Sequence, residues 1–199
     1  MHILSGIYKG KTVTSPKGLK TRPTSGRLRQ ALFNICQGDV DGANLLDLFA
    51  GSGAMGLEAL SQGAAKVTFV DNDRESIRCI QNNIQAFEVG KATEVIYKDV
   101  FDALQDLNKK KKEFNIIYAD PPYESFINKN GVKVSFSTEV VTLLDHLIDM
   151  GSSILLPHGS LFIEDAAKAA PNTTESIKHL QLHSSRILGR STLQHWIRI

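Results

Sequence analysis

Apolar and polar positions along this chain alternate between two periods. The run Leu45-Leu46-Asp47-Leu48-Phe49 is short and nearly continuous in apolar residues, which predicts a strand covered on both faces. A helix is predicted near 54 to 62, a second strand over 66 to 70, and a longer helix near 74 to 88, where Ile77, Ile80, Ile84 and Phe87 recur at helical spacing. The pattern continues as a strand at 94 to 97, a helix near 100 to 108 and a strand at 114 to 118. Strands separated by helices predict a mostly parallel, doubly wound α/β sheet.

Both ends depart from this alternation. Residues His2 to Val13 alternate loosely around Gly6 and Gly10 and predict a short hairpin, and Ser15-Pro16-Lys17-Gly18 marks a loop. Arg22-Pro23-Thr24 leads into a helix capped by Thr24 or Ser25, with Leu28, Leu32, Phe33 and Ile35 on its apolar face and Arg27 and Arg29 turned outward. Towards the C-terminus a helix from Thr138 to Met150 precedes a strand at Leu161 to Glu164 and a polar stretch from Lys168 to Ser176. Two final runs, Leu180 to Leu188 and Leu193 to Arg198, flank Gly189-Arg190-Ser191 and predict an antiparallel hairpin.

With 199 residues, 42% hydrophobic and 22% charged, the chain can bury one sizeable core and has no room for a second large domain. No apolar run reaches the roughly 18 residues that span a bilayer. No basic segment with an apolar core opens the sequence, so a cytoplasmic protein without a membrane partner is expected. Cys36 and Cys79 sit in helix-like apolar patterns and show no paired Cys/His spacing, and the six histidines are scattered. Buried free thiols are expected and no metal site is assigned. Charge is unevenly distributed: of 23 basic residues, seven fall before residue 39, where no acidic residue stands, leaving 16 against 21 acidic ones in the rest. This divides the chain into a basic extension, 1–38, and a mildly acidic body, 39–199. Such an extension is an electrostatic footprint for nucleic-acid phosphates, with Lys9, Lys11, Arg22, Thr24, Arg27 and Arg29 as the candidate contacts. The cluster Lys109 to Lys112 lies between a helix and a strand and reads as a solvated turn.

Two motifs carry chemistry. Gly51, Gly53 and Gly56 spell a glycine loop between the first strand and its helix, a weak signal shared by many nucleotide binders. Asp71 ends the next strand 20 residues after Gly51, where its carboxylate could accept both ribose hydroxyls of an adenosine. NAD and S-adenosylmethionine both carry that ribose. The second motif, Asp120-Pro121-Pro122-Tyr123, follows the strand at 114 to 118 and separates them. The prolines fix φ and offer no N–H, so the strand stops abruptly and exposes a carboxylate, carbonyls and an aromatic ring. Methylation of an exocyclic base amine needs such a tip. Its nitrogen lone pair is delocalised into the ring, so acceptors such as Asp120 and the Pro121 carbonyl must take its hydrogens while Tyr123 stacks on the base. A hydride-transfer enzyme has no use for this motif.

The segment from Arg22 to Asn34, the segment from Asp47 to Ser61 and Asp120-Pro121-Pro122-Tyr123 together resemble the RsmD-type bacterial 16S rRNA guanine-N2 methyltransferases. The resemblance extends from about residue 3 to the end. Gly26 and Gln30 depart from it, where the family usually has Asp and often has Glu. It implies a class I methyltransferase fold with a seven-stranded sheet and S-adenosyl-L-methionine as cofactor. The implied substrate is a guanine of 16S rRNA in a partly assembled small subunit, met by a monomer. It also implies Asp47, Gly51 and Gly53 around the methionine end of the cofactor, Asp71 at the ribose and Asp99 at the adenine amino group, with Phe49, Ala50, Ser52, Asn72 and Val100 also among the cofactor-binding residues. Asp47 and Asp99 have a second reading as helix caps. A DNA adenine-N6 methyltransferase and a non-catalytic RNA-binding module are the rival readings.

Overall fold

The computed structural model describes residues 1–16, 26–123, 125–127, 131, 133–166 and 177–199. Arg22, Thr24, the expected helix cap at Thr24 or Ser25, and the polar stretch from Lys168 to Ser176 lie outside the described residues. In chain order the elements are α1 (Gly26–Ile35), β1 (Asn44–Leu48), α2 (Ala54–Ser61), β2 (Lys66–Asp71), α3 (Arg74–Phe87), β3 (Thr93–Tyr97), α4 (Val100–Lys109) and β4 (Phe114–Ala119). There follow β5 (Ser125–Ile127), β6 (Lys133–Ser135), α5 (Phe136–Asp149), β7 (Leu155–Ala166), β8 (Leu180–Leu188) and β9 (Ser191–Arg198).

The main sheet has seven strands in the order β3-β2-β1-β4-β7-β9-β8. The first five run parallel, and β9 pairs antiparallel with both β7 and β8. This is the class I methyltransferase sheet with its C-terminal antiparallel hairpin, as expected. The chain runs outward from β1 to β3 and then returns to β4, so the strand order reverses between β1 and β4. In open α/β sheets that reversal leaves a crevice at the carboxyl ends of the strands.

Period-two alternation decides what each strand offers to each layer. On one face Leu45, Phe69, Ile116, Tyr118 and Phe162 share a cluster with Leu28, Leu32, Leu57 and Ile80. On the other, Leu46, Leu48, Val70, Ile117 and Ile163 meet Leu104, Leu107, Val140 and Leu144. Helices α1 to α3 therefore cover the first face, and α4 and α5 the second. Asp47 has the parity of Leu45 and so points under α2. Gly56 allows that helix to lie close: a Cβ there would stand 2.3 Å from Phe69 Cε1 and 2.6 Å from Val67 Cγ1.

The N-terminal segment forms the expected short hairpin, with Ile3 N–H donating to Lys11 O at 3.0 Å and Gly10 N–H to Ile3 O at 2.9 Å. It is laid across α2 rather than standing apart. Ile3 and Val13 belong to the first apolar cluster. Glu58, fully buried in α2, accepts from Leu4 N–H at 2.9 Å, Ser5 N–H at 2.8 Å and Arg29 Nη1 at 3.1 Å. Arg29 also donates to His2 O at 3.0 Å and is only 2% exposed. The expectation that Arg29 faces outward is corrected by this pair, since a carboxylate buried on the neighbouring helix turns the arginine inward.

Two further differences have local causes. The strand β7 is longer than its predicted span because Pro157-His158-Gly159 hides the alternation, and its pairing with β4 shifts register between Phe114 and Ile116. The antiparallel pair β5 and β6, three residues each, is too short for periodicity to reveal.

Candidate active site

Three carboxylates come together at the carboxyl end of the sheet. Register places Asp47 opposite Phe69 on one side and Tyr118 on the other. Asp71 and Asp120 each stand two residues further along a flanking strand with the same parity. They lie one pleat, roughly 6–7 Å, beyond Asp47 on the α2 side. Asp47 is 1% exposed, and its Oδ2 accepts from Gly56 N–H at 3.0 Å. That amide is an orphan donor in the first turn of α2, so Asp47 caps the helix from across the loop. Burial pushes the Asp47 carboxyl well above its ordinary range; the Gly56 amide opposes this, and the charges of Asp120 and Asp71 add to it.

The turn between β1 and α2 takes left-handed conformations at Phe49, Gly51 and Gly53, with φ of 57°, 56° and 73°. Gly53 is the N-cap of α2, a position at which glycine avoids the Cβ penalty of that conformation. Ala50 N–H donates to Val70 O at 3.1 Å and Gly53 N–H to Ala50 O at 2.7 Å. Asp71 locks the turn further: its Oδ2 accepts from Gly51 N–H and its Oδ1 from Asp73 N–H, each at 2.8 Å. Burial raises the Asp71 pKa, and these amides offset part of the rise. Both oxygens keep lone pairs for a further donor.

Asp99 is exposed and caps α4, its Oδ1 accepting from Phe101 N–H at 2.9 Å and Asp102 N–H at 3.4 Å. Its second reading, as a cap, is therefore the one the described hydrogen bonds satisfy. Asn72 is exposed beside Asp71, and Val100 is buried in the second cluster. Sequence periodicity did not reveal an aromatic group here. Phe126 and Phe136, from β5 and α5, have ring centroids 4.4 Å apart. Phe101 packs against both, and Phe49 meets Phe136 edge-on at 5.9 Å.

On the substrate side Asp120 is half-buried, its N–H donating to Leu48 O at 3.4 Å, and Pro121 is buried while Pro122 is exposed. Tyr123 is 54% exposed, yet its hydroxyl is held by Glu164 Oε1 at 3.3 Å and Ser191 Oγ at 3.0 Å. The same buried carboxylate accepts from Tyr118 Oη through Oε2 at 3.1 Å. Glu164 was not singled out from sequence; its signal was an acid ending an apolar strand. A ring fixed at its hydroxyl and open on its face is suited to stacking against a planar base.

Among the other sequence-predicted contacts, Lys9 and Arg27 are exposed. Lys11 is exposed as well, with its ammonium 4.6 Å from the Phe87 ring centroid. Arg22 and Thr24 lie outside the described residues. Both cysteines are buried free thiols, and burial pushes the Cys36 thiol up to about 12. Among the described residues no group of three or more His, Cys, Asp or Glu could hold a metal ion.

The profile of the family described as Conserved hypothetical protein 95 matches residues 1–197. The chain belongs to that family. The resemblance to RsmD-type methyltransferases drawn from the motifs is thereby supported. The chain is 38% identical over 124 residues to the rRNA methyltransferase YlbH of Bacillus subtilis, covering 62% of this chain and 67% of that protein. It is 36% identical over 123 residues to ribosomal RNA small subunit methyltransferase D of Escherichia coli, covering 62% of this chain and 60% of that one. The chain thus spans about three fifths of the length of the latter. Among solved structures, the methyltransferase yhhF from Escherichia coli aligns over 100% of this chain and 97% of its own, with a TM-score of 0.78 and 27% identity. A methyltransferase complexed with SAH aligns over 86% of this chain and 48% of its own with a TM-score of 0.65; at 18% identity this is likeness of fold alone.

Proposed function

We propose that the protein is an S-adenosylmethionine-dependent methyltransferase acting on the exocyclic N2 of a guanine in 16S rRNA. The observation that carries this reading is the convergence of Asp47, Asp71 and Asp120 beside a proline-locked tip and an open, tethered Tyr123 ring. When bound, S-adenosylmethionine supplies an electrophilic methyl group on a positively charged sulfonium, so no metal is needed for leaving-group activation. The residues fit that group. A buried carboxylate destabilised by two like-charged neighbours is relieved by a cation, and Asp71 retains acceptor capacity for a ribose. The turn from Phe49 to Gly53 shapes the methionine end. Asn72 extends the ribose contact of Asp71, and Asp99, through the oxygen not used in capping, meets the adenine beside Val100.

The substrate base stacks on Tyr123, whose hydroxyl tether to Glu164 fixes where the ring's long axis points. Asp120 and the Pro121 carbonyl accept hydrogen bonds from the two N2 hydrogens, which lets the nitrogen pyramidalise toward the methyl group. As the N–C bond forms, the donor's S–C bond would break to leave a neutral thioether, and the one proton N2 loses would pass to Asp120 and on to solvent. The rate gain comes chiefly from holding amine and donor in line. Residues 1–38 act as the RNA-binding extension seated on the body, through Lys9, Lys11, Arg22, Thr24 and Arg27, with the base splayed from its stack. The partner is 16S rRNA within a partly assembled small subunit, met by a cytoplasmic monomer. Among the described residues no helix is long and apolar enough to cross a membrane. Asp120→Ala tests the chemistry. Calorimetry should find cofactor affinity retained while methyl transfer falls by two or more orders of magnitude, a loss of ~2.7–4 kcal/mol. Turnover at the wild-type rate would remove Asp120 from the mechanism.

A further inference from the structure

Asn83 lies in α3 at 1% exposure, between the apolar positions Ile80 and Ile84. Its amide is fully engaged. Oδ1 accepts from Thr14 N–H at 3.1 Å and from the Thr14 hydroxyl at 2.6 Å, while Nδ2 donates to Thr14 O at 3.0 Å and to Ser52 O at 2.9 Å. Three of these bonds grip one residue of the N-terminal segment, reading its backbone N–H and C=O together as a paired strand would. The fourth reaches the glycine loop. Ser52 C=O belongs to the same peptide unit as Gly53 N–H, which donates to Ala50 O at 2.7 Å, so this peptide plane is held from both sides. Among the described residues the hydrogen bonds of Thr14 go to Asn83 and Cys79, and none goes to the loop.

We propose that Asn83 is a positioning residue that makes cofactor affinity depend on how the N-terminal segment is seated. A buried amide that loses its partners at Thr14 must find others or bear the desolvation cost. Its reorientation releases the Ser52 carbonyl and with it the loop conformation that Gly53 completes. The same segment carries Lys9 and Lys11, five and three residues before Thr14, so the element that meets RNA and the loop that meets the cofactor share one side chain. Linkage is reciprocal: a ligand that favours the ordered loop must also favour the seated segment. The inference rests on the cofactor reading of the Gly51 to Gly53 loop given above.

The test is calorimetric titration of S-adenosylmethionine into the full chain, using wild type, Asn83→Ala, Thr14→Val and the double variant. Asn83→Ala should weaken binding about tenfold or more. Thr14→Val, which removes one bond to the Asn83 amide and touches no loop atom, should weaken it by a smaller factor. The double variant should bind no worse than Asn83→Ala, because both losses run through one amide. Amide hydrogen exchange at Val13, whose N–H donates to Met1 O at 2.8 Å and keeps that acceptor in every variant, should slow on cofactor addition in wild type and not in Asn83→Ala. Should Asn83→Ala melt below the assay temperature, Thr14→Val and its exchange rates carry the test. Unaltered affinity in the folded variants, or additive losses in the double variant, overturns this proposal while leaving the cofactor reading in place. A wild-type chain that binds no S-adenosylmethionine removes both.

Discussion

Asp47 shows at the scale of one residue how burial can be turned to function. Its carboxyl is held well above the ordinary carboxylate range of about 4 by burial first, and by Asp120 and Asp71 after it. A folded-state pKa raised above the unfolded value adds stability that is fully present at low pH. That stability is lost as pH rises through the raised value. A cationic ligand reverses the preference and draws the proton off. Affinity for S-adenosylmethionine should therefore increase with pH above the ordinary carboxylate range, and titrations in buffers of different ionisation enthalpy should register proton release. A pH-independent affinity without proton release would show that Asp47 serves only the Gly56 amide. Asp47 and Asp120 were legible in the sequence because each sits beside a turn that glycine or proline makes unmistakable. Arg29 was not, since its partner Glu58 lies on another helix and local pattern cannot report a buried ion pair 29 residues away.

Among elements, the parallel strands and the helices between them followed from periodicity, because each strand is covered on both faces and each helix presents one apolar stripe. The pair β5 and β6 did not, although Phe126 brings it against Phe101 and Phe136 at the rim of the site. Three-residue strands offer no period to read. The close contact of α2 with β2 yields a direct check. In Gly56→Ala the new methyl group would meet Phe69 Cε1 at 2.3 Å, so the helix must move. The overpacking should cost ~1–3 kcal/mol, more than the up to ~1 kcal/mol that alanine gains over glycine in a helix. Urea unfolding should show a lower midpoint, and an unchanged or higher one would mean that α2 does not press on Phe69.

For the whole molecule, the order β3-β2-β1-β4-β7-β9-β8 puts the glycine turn and the Asp120-Pro121-Pro122-Tyr123 tip on either side of the strand reversal. The basic extension was legible as a charge excess, but its seating on α2 through Glu58 and on α3 through Asn83 was not. The contacts of Leu4 with Glu58 and of Thr14 with Asn83 join residues 54 and 69 positions apart. Seating separates the extension's basic residues into two kinds. Lys9→Ala and Arg27→Ala should each lower the magnitude of the log-log salt slope of RNA binding by nearly one unit, with cofactor affinity unchanged. Arg29→Met should leave that slope alone and destabilise the fold by about 3–5 kcal/mol through the abandoned Glu58 carboxylate. The central claim is that this crevice methylates guanine N2, and nucleoside mass spectrometry tests it most directly. Immature small-subunit particles lacking the modification are incubated with the protein and labelled S-adenosylmethionine, and their 16S rRNA is digested and analysed. The account predicts labelled N2-methylguanosine at a single position with wild type and none with Asp120→Ala; label in N6-methyladenosine, or no label in RNA with the cofactor bound, would contradict it.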